Sequence, residues 1–425
     1  MADHSVNASE NASKYGAVVG SKKILIVLTA LNLFNYIDRY VLSSVLEPIK
    51  AEMNLTDGQL GRIATAFMLG YFVTSPIFGY LGDRFPRKFL IAAGVVVWSA
   101  GTFLTGFAAT FIAIVAFRTL IGFGEASFGA IGPSLISDAY PPIKRNNALT
   151  LFYLAIPLGA ALGYVLGGLI GAEFGWRHAF YWTGGPGLLL AALIFFVREP
   201  KRGESDGGQS ICNGAQKPKP RDVFSLFRSR EYSLVVFGYC AYTFSMGALS
   251  YWGPSFFTRV HGLTMQQASG FFGPALLAGG LIGTMGGGFL ASLIAKKNRA
   301  GYAMVLAGSV LLSVPLTIGA FATSSVVTAM ALSAAALVFL FVSTGPVNTV
   351  IMESCPVNLR SSAMALSIFM IHFLGDLWSP EIIGRTADAC GSLQKALFIL
   401  PGAFFIAGIL WTCLAITQSR SHVRR

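Results

Sequence analysis

A chain of 425 residues that is 54% hydrophobic and only 12% charged, with mean hydropathy +0.63, falls outside the soluble globular class, in which about 25% of residues are charged. Its formal net charge of +12 lies in short basic segments between apolar runs, not on a basic and aromatic face, which excludes nucleic acid as a partner. There is no GxSxG, HExxH or GxxxxGK[ST] motif, and the five cysteines show no CxxC or metal spacing, so neither an enzyme, a metal site nor a cofactor is expected. In chain order, a polar tail over 1–22 precedes the first apolar run. A membrane-crossing helix needs about 20 mostly apolar residues. Runs of that kind occupy 23–47, 58–81, 89–108, 111–137, 146–171 and 177–198. A Gly-, Pro- and Lys-rich stretch over 199–230 follows and reads as a flexible linker. Six further runs cover 231–257, 266–294, 301–322, 324–350, 361–384 and 394–417, and a short tail closes at 418–425. The expected class is an all-α membrane protein with twelve transmembrane helices in two six-helix bundles, 23–198 and 231–417.

Lys and Arg set the orientation. With the N-terminus inside, the inner loops hold Lys22, Lys23, Arg84, Arg87, Lys88, Lys144, Arg145, Lys296, Lys297, Arg299 and Arg360, among others. The outer loops hold only Lys50, Arg62, Arg177, Arg259, Arg385 and Lys395. Both termini are therefore expected in the cytoplasm, in a multi-pass protein of the cell membrane.

The two halves resemble each other. "DAYPPIKRNNA" (138–148) aligns with "ESCPVNLRSSA" (353–363), and "GYLGDRFPRK" (79–88) with "GFLASLIAKK" (288–297). Parallel repeats of six helices are a transporter design that places substrate near the midplane. "GYLGDRFPRK" also resembles the signature loop of the major facilitator superfamily, and the pairs Asp138/Arg145 and Glu353/Arg360 resemble its companion motif. Within that superfamily, "NYIDRYVLSSVLEPIK" and "RTLIGFGEASFGAIGPSLISD" are similar to the Spinster branch. The resemblance implies a secondary transporter that moves lysophospholipids or sphingolipid phosphates. It also implies a cytoplasmic latch built from Gly79, Gly82, Asp83, Arg84, Arg87, Lys88, Asp138, Arg145, Glu353 and Arg360. The second copy has Ser292 in the place of Asp83, so only the first copy carries the full charged latch.

Four charged residues lie at hydrocarbon depth: Asp38 and Arg39 in the first span, Arg118 and Glu125 in the fourth. Each costs about 2.5–3.5 kcal/mol at a helix centre, so they must be paired, hydrated, or both. Arg118 and Glu125 are seven residues apart on nearly one face, with Gly122 and Gly124 between them leaving that face open. The spacing suggests that Asp38 meets Arg118, with Glu125 further along the same pore. Asp38 and Glu125 are expected to carry protons and Arg118 to bind an anionic head group. Arg39 points about 100° from Asp38 and serves either substrate or another helix.

The symmetry mates of those spans hold no charge at mid-depth but carry Tyr239, Tyr242, Trp252 and Asn348. A charged wall and an aromatic wall suit an amphiphile, with its head on one and its tail on the other. His372 and Asp376 form a secondary candidate pair, four apart on one face; a packing hydrogen bond is the plainer reading. The expected protein is a monomeric, proton-coupled, alternating-access transporter whose partners are a small amphiphilic anion, protons and membrane lipids. A hydrophilic organic anion or sugar derivative is the alternative substrate. A non-transporting receptor or structural protein is the alternative of a different class.

Overall fold

A computed structural model of the chain describes residues 18–206, 223–356 and 359–423. The outer part of the N-terminal tail, the middle of the linker (207–222) and the last two residues of the C-terminal tail lie outside the described residues. Among those described there are twelve helical spans long and apolar enough to cross a membrane, each within a few residues of the runs read from the sequence. Without water, every backbone amide must be satisfied inside its own segment, which leaves the helix as the solution for long apolar runs. The helices are α1 (Ser21–Ser44), α2 (Leu46–Met53), α3 (Asp57–Arg84), α4 (Arg87–Thr105), α5 (Phe111–Ala139), α6 (Pro142–Phe174) and α7 (Trp176–Leu193). Past the linker come α8 (Arg230–His261), α9 (Met265–Ala295), α10 (Gly301–Ala322), α11 (Val326–Val342), α12 (Thr344–Glu353), α13 (Arg360–Ile371), α14 (Ser379–Cys390), α15 (Leu393–Leu397) and α16 (Ile399–Val423).

Polar caps begin several of them. Thr110 accepts from the Ala113 amide, Ser229 from Tyr232, and Thr264 forms a reciprocal box with Gln267. Pro133, Pro157 and Pro274 stay inside continuous helices, whereas the span containing Pro346 breaks at Ser343 into α11 and α12. Large apolar side chains such as Phe196, Met285, Phe289 and Val327 are exposed, the inverse of a soluble surface and suited to lipid.

The chain forms two compact units. The first comprises the described residues up to Leu42 and from Ala66 to residue 206; the second comprises Ser43–Thr65 and the described residues from 223 onward. In the first unit α4 packs on α5 and α7. Its core joins Ile24, Leu28, Phe67, Val95, Trp98, Ile121 and Phe128.

The membership of Ser43–Thr65 departs from a division at the linker alone, and its contacts explain why. Arg259 reaches both Glu47 carboxylate oxygens at 2.8 Å and Asp57 at 2.8 Å, while Lys50 holds the other Asp57 oxygen at 2.6 Å. Asp388 accepts from the Asp57 and Gly58 amides at 2.8 and 2.7 Å, satisfying the first turn of α3. Arg62 and Arg385 share Glu381, and the Tyr251 hydroxyl donates to the Leu60 carbonyl. A Cβ on Gly61 would collide with the Pro380 carbonyl, so only glycine allows this approach.

Candidate functional site

Asp38, Arg39, Arg118 and Glu125 lie in the first unit, on α1 and α5. Asp38, Arg118 and Glu125 are almost fully buried, and Arg39 keeps 24% of its side chain exposed. The pairing differs from the one the spacing suggested. In place of an Asp38–Arg118 pair, the ion pair at this depth joins Arg39 to Glu125, with Nη2 at 2.6 Å and Nε at 3.2 Å from Oε2. Its guanidinium carbon also lies 4.9 Å from the Tyr36 and Phe67 ring centroids and 5.5 Å from that of Tyr71. This aromatic collar compensates the cation where water is scarce. Arg118 sits 5.0 Å from the Phe67 centroid, sharing that ring with Arg39. Its charge acts on both Asp38 and Glu125.

Asp38 faces another way. It accepts from the Thr102 hydroxyl of α4 at 3.4 Å, whereas the Thr183 hydroxyl of α7 donates to the Ala179 carbonyl at 2.9 Å. The adjacency of Asp38 and Arg39 explains this: neighbours on a helix diverge by about 100°, so one side chain enters the helix packing while the other reaches α3 and α5. The four charges still form one electrostatic neighbourhood, since Glu125 and Arg118 act on Asp38, and Arg39 and Arg118 both act on Glu125.

Gly122 and Gly124 do not open a face. A Cβ on Gly122 would strike the Phe67 carbonyl of α3, and one on Gly124 would lie 2.6 Å from the Trp98 amide of α4. The two glycines bring α5 against both neighbours and thereby set Glu125 beside Arg39. Gly122→Ala is expected to lower stability by about 1–3 kcal/mol through overpacking and to weaken transport with it. Thermal unfolding of the purified variant measures this, and an unchanged melting temperature would contradict the packing role.

The second unit corrects two of the aromatic candidates. The Tyr242 hydroxyl donates to the Leu340 carbonyl at 2.9 Å, and the Trp252 indole to the Pro380 carbonyl at 3.0 Å; both rings are buried. They are packing residues, because each polar tip is already satisfied by backbone. Tyr239 is half-buried, 6.0 Å from the Tyr242 ring, and Asn348 is half-buried with its amide on the Thr344 carbonyl. His372 Nδ1 lies 2.9 Å from Asp376 Oδ1. The two residues bound a single π-helical turn, His372–Asp376, a distortion common at functional positions. Tyr239 is close enough for its phenol to feel the Asp376 charge. No motif announces that turn; the four-residue spacing was its only trace.

Of the residues expected to form a latch in the first unit, Arg87 is buried. It binds Asp138 at 2.5 Å, Glu199 at 3.4 Å and the Pro200 carbonyl at 2.9 Å. Asp138 therefore turns to Arg87, while Arg145 donates to the Tyr140 carbonyl and the Ser205 hydroxyl. Asp83 and Arg84 are exposed, Arg84 lying 3.7 Å from the Tyr80 centroid, and Lys88 contributes its backbone amide to Glu199. Gly79 has open space around it, whereas Gly82 abuts Ile131. Sequence reasoning missed Glu199, Arg202 and Ser205, where the start of the linker folds back. Arg202 reaches the Gly82 carbonyl and Gly203 donates to Asp138. In the second unit Arg360 donates to the Met352 carbonyl, with Glu353 exposed beside it.

Residues 28–380 match the family model of the Major Facilitator Superfamily. Protein spinster of Drosophila melanogaster is 34% identical over 375 residues, which are 85% of this chain; the chain spans 61% of that relative's length. Probable sphingolipid transporter spinster homolog 1 of Arabidopsis thaliana is 32% identical over 432 residues, covering 92% of this chain and 87% of the relative. In three dimensions the chain is similar to the crystal structure of a bacterial homolog to the human lysosomal transporter Spinster, in an inward-facing and occupied conformation. The TM-score is 0.79 at 24% identity, over 94% of this chain and 96% of that one, a likeness of fold.

Proposed function

Because the chain belongs to the major facilitator superfamily, in its spinster branch, we propose that it carries an amphiphilic anion, a sphingoid phosphate or a lysophospholipid, across the cell membrane by proton-coupled alternating access. The Arabidopsis relative's description as a sphingolipid transporter supports the substrate class. The observation that carries the coupling is the Arg39–Glu125 ion pair, buried at Glu125 and partly exposed at Arg39. An anionic head group reaching Arg39 competes with Glu125 for the same guanidinium. Glu125, losing its partner in a site of low dielectric, takes a proton. When the head group leaves, Arg39 returns and the proton departs. Arg118 supplies a second positive charge that favours the anion, and Asp38 is a second proton carrier whose hydroxyl partner, Thr102, serves either protonation state. Tyr239, Asn348 and the His372–Asp376 turn are proposed to meet the rest of the substrate. The Arg87–Asp138 cluster is proposed as the cytoplasmic latch, with both termini on that side and a monomer as the working unit.

Equilibrium binding to the purified protein tests this reading with a lysophospholipid, a sphingoid phosphate and a hexose phosphate, each at two pH values. Affinity should rise with acyl-chain length. It should also be tighter at the lower pH, because the bound state holds Glu125 protonated. Equal binding of the hexose phosphate, without chain-length dependence, would replace the lipid by a hydrophilic anion.

A further inference from the structure

On the basic face of the second unit, remote in sequence from the α1 and α5 charges, is a cavity of about 570 Å³. That is within the usual range for small-molecule sites, about 300–1,000 Å³. Four cations, Lys296, Lys297, Arg299 and Arg360, line it against two carboxylates, Glu231 and Glu353, a formal excess of two positive charges.

The cations are not used up internally. Among the described residues, no carboxylate lies within ion-pair distance of Lys296, Lys297 or Arg299. Arg360 spends one N–H on the Met352 carbonyl. Glu231 is engaged by the Gln418 side-chain amide at 3.3 Å. The orientation rule accounts for cations on this face, and a helix C-terminus accounts for Lys296 and Lys297 directly after α9. Neither accounts for a concavity around them. The turn that carries them is tied internally: Asn298 accepts from the Ala300 amide through its side chain, its carbonyl accepts from Gly301, and a Cβ on Gly301 would strike the backbone of Ala295. The turn leads straight into α10, whose cap residue Ala300 offers no side-chain oxygen to the first-turn amides. The positive end of that helix therefore adds to the cationic wall.

We propose that this cavity is a binding site for a phosphate group, separate from the transport site. It would take either the head group of an anionic phospholipid in the adjoining leaflet or a soluble phosphate. Anionic lipid gains about fivefold in affinity per basic residue near the surface, and a preformed cavity adds geometry to that attraction.

The test compares the wild-type protein with a triple variant, Lys296→Gln, Lys297→Gln and Arg299→Gln. A charge-matched control carries Lys22→Gln, Lys23→Gln and Arg228→Gln, exposed cations outside the cavity. Native mass spectrometry after reconstitution with phosphatidylglycerol and phosphatidylcholine reads retained lipid. Thermal unfolding in detergent with added inorganic phosphate reads the soluble ligand. Loss of phosphatidylglycerol retention by about tenfold or more in the triple variant, but not in the control, assigns the site to a lipid head group. Phosphate-dependent stabilisation of the wild type that disappears only in the triple variant assigns it to a soluble phosphate. Equal losses in both variants, or no loss in either together with no phosphate effect, would overturn the proposal. Should the triple variant aggregate, the single variants Lys297→Gln and Arg299→Gln are read in the same way.

Discussion

Glu125→Gln is expected to abolish concentrative, proton-driven uptake while leaving substrate counterflow within about tenfold of the wild type. Glutamine keeps the shape of the side chain, and its carbonyl oxygen can still accept from Arg39, so packing around Gly122 and Gly124 is preserved. What disappears is the exchangeable proton. A charge-assisted hydrogen bond contributes about 1.5–3 kcal/mol and a neutral one about 0.5–1.5 kcal/mol. Arg39 is therefore released more easily, by roughly tenfold at 1.4 kcal/mol per decade. Exchange of substrate down its own gradient needs only that release. Accumulation against a gradient needs the proton. Proteoliposomes loaded with substrate, with and without an imposed pH gradient, separate the two. Retained concentrative uptake in Glu125→Gln would remove Glu125 from the coupling.

The second large effect is on stability. Arg39→Gln strands Glu125, whose side chain is fully buried, without its cation. Breaking a buried pair from one side costs about 3–5 kcal/mol. The lower end applies here, because Arg39 keeps 24% of its side chain exposed and Arg118 remains nearby to act on Glu125. The double variant Arg39→Gln with Glu125→Gln removes both charges and should recover most of that loss. A double-mutant cycle on thermal or denaturant unfolding measures the coupling; a value near zero would mean that the pair does not hold α1 to α5. Arg39→Gln, unlike Glu125→Gln, also takes the cation away from Tyr36 and Tyr71.

Much of the architecture was legible before the structure, because the bilayer imposes a length rule that apolar runs obey. All twelve spans, and the repeat carried by Asp138 and Glu353, follow from that rule and from loop chemistry. The presence of charges inside the spans was legible, but not their pairing. A charge inside a span is conspicuous because it is expensive; which neighbour it meets depends on helix rotation, and Asp38 and Arg39, one residue apart, take opposite answers. Gly122 and Gly124 read equally well as an opening or as a contact, and the backbone of α3 and α4 makes them a contact. Tyr242 and Trp252 looked like a wall for an acyl chain because aromatic rings serve cores and cavities alike; their hydrogen bonds to Leu340 and Pro380 place them in the core. The attachment of Ser43–Thr65 to the second unit rests on charges far apart in sequence, Glu47 and Asp57 with Arg259 and Asp388, which no local pattern links.

The most direct test of the Arg39–Glu125 exchange is net proton binding when substrate is added to purified protein in weakly buffered solution near neutral pH. The account predicts that the wild type takes up protons as the anionic head group displaces Glu125 from Arg39, so the solution becomes more alkaline, and that Glu125→Gln shows a clearly smaller uptake. Proton uptake of the same size in both proteins, or proton release on binding, would contradict it.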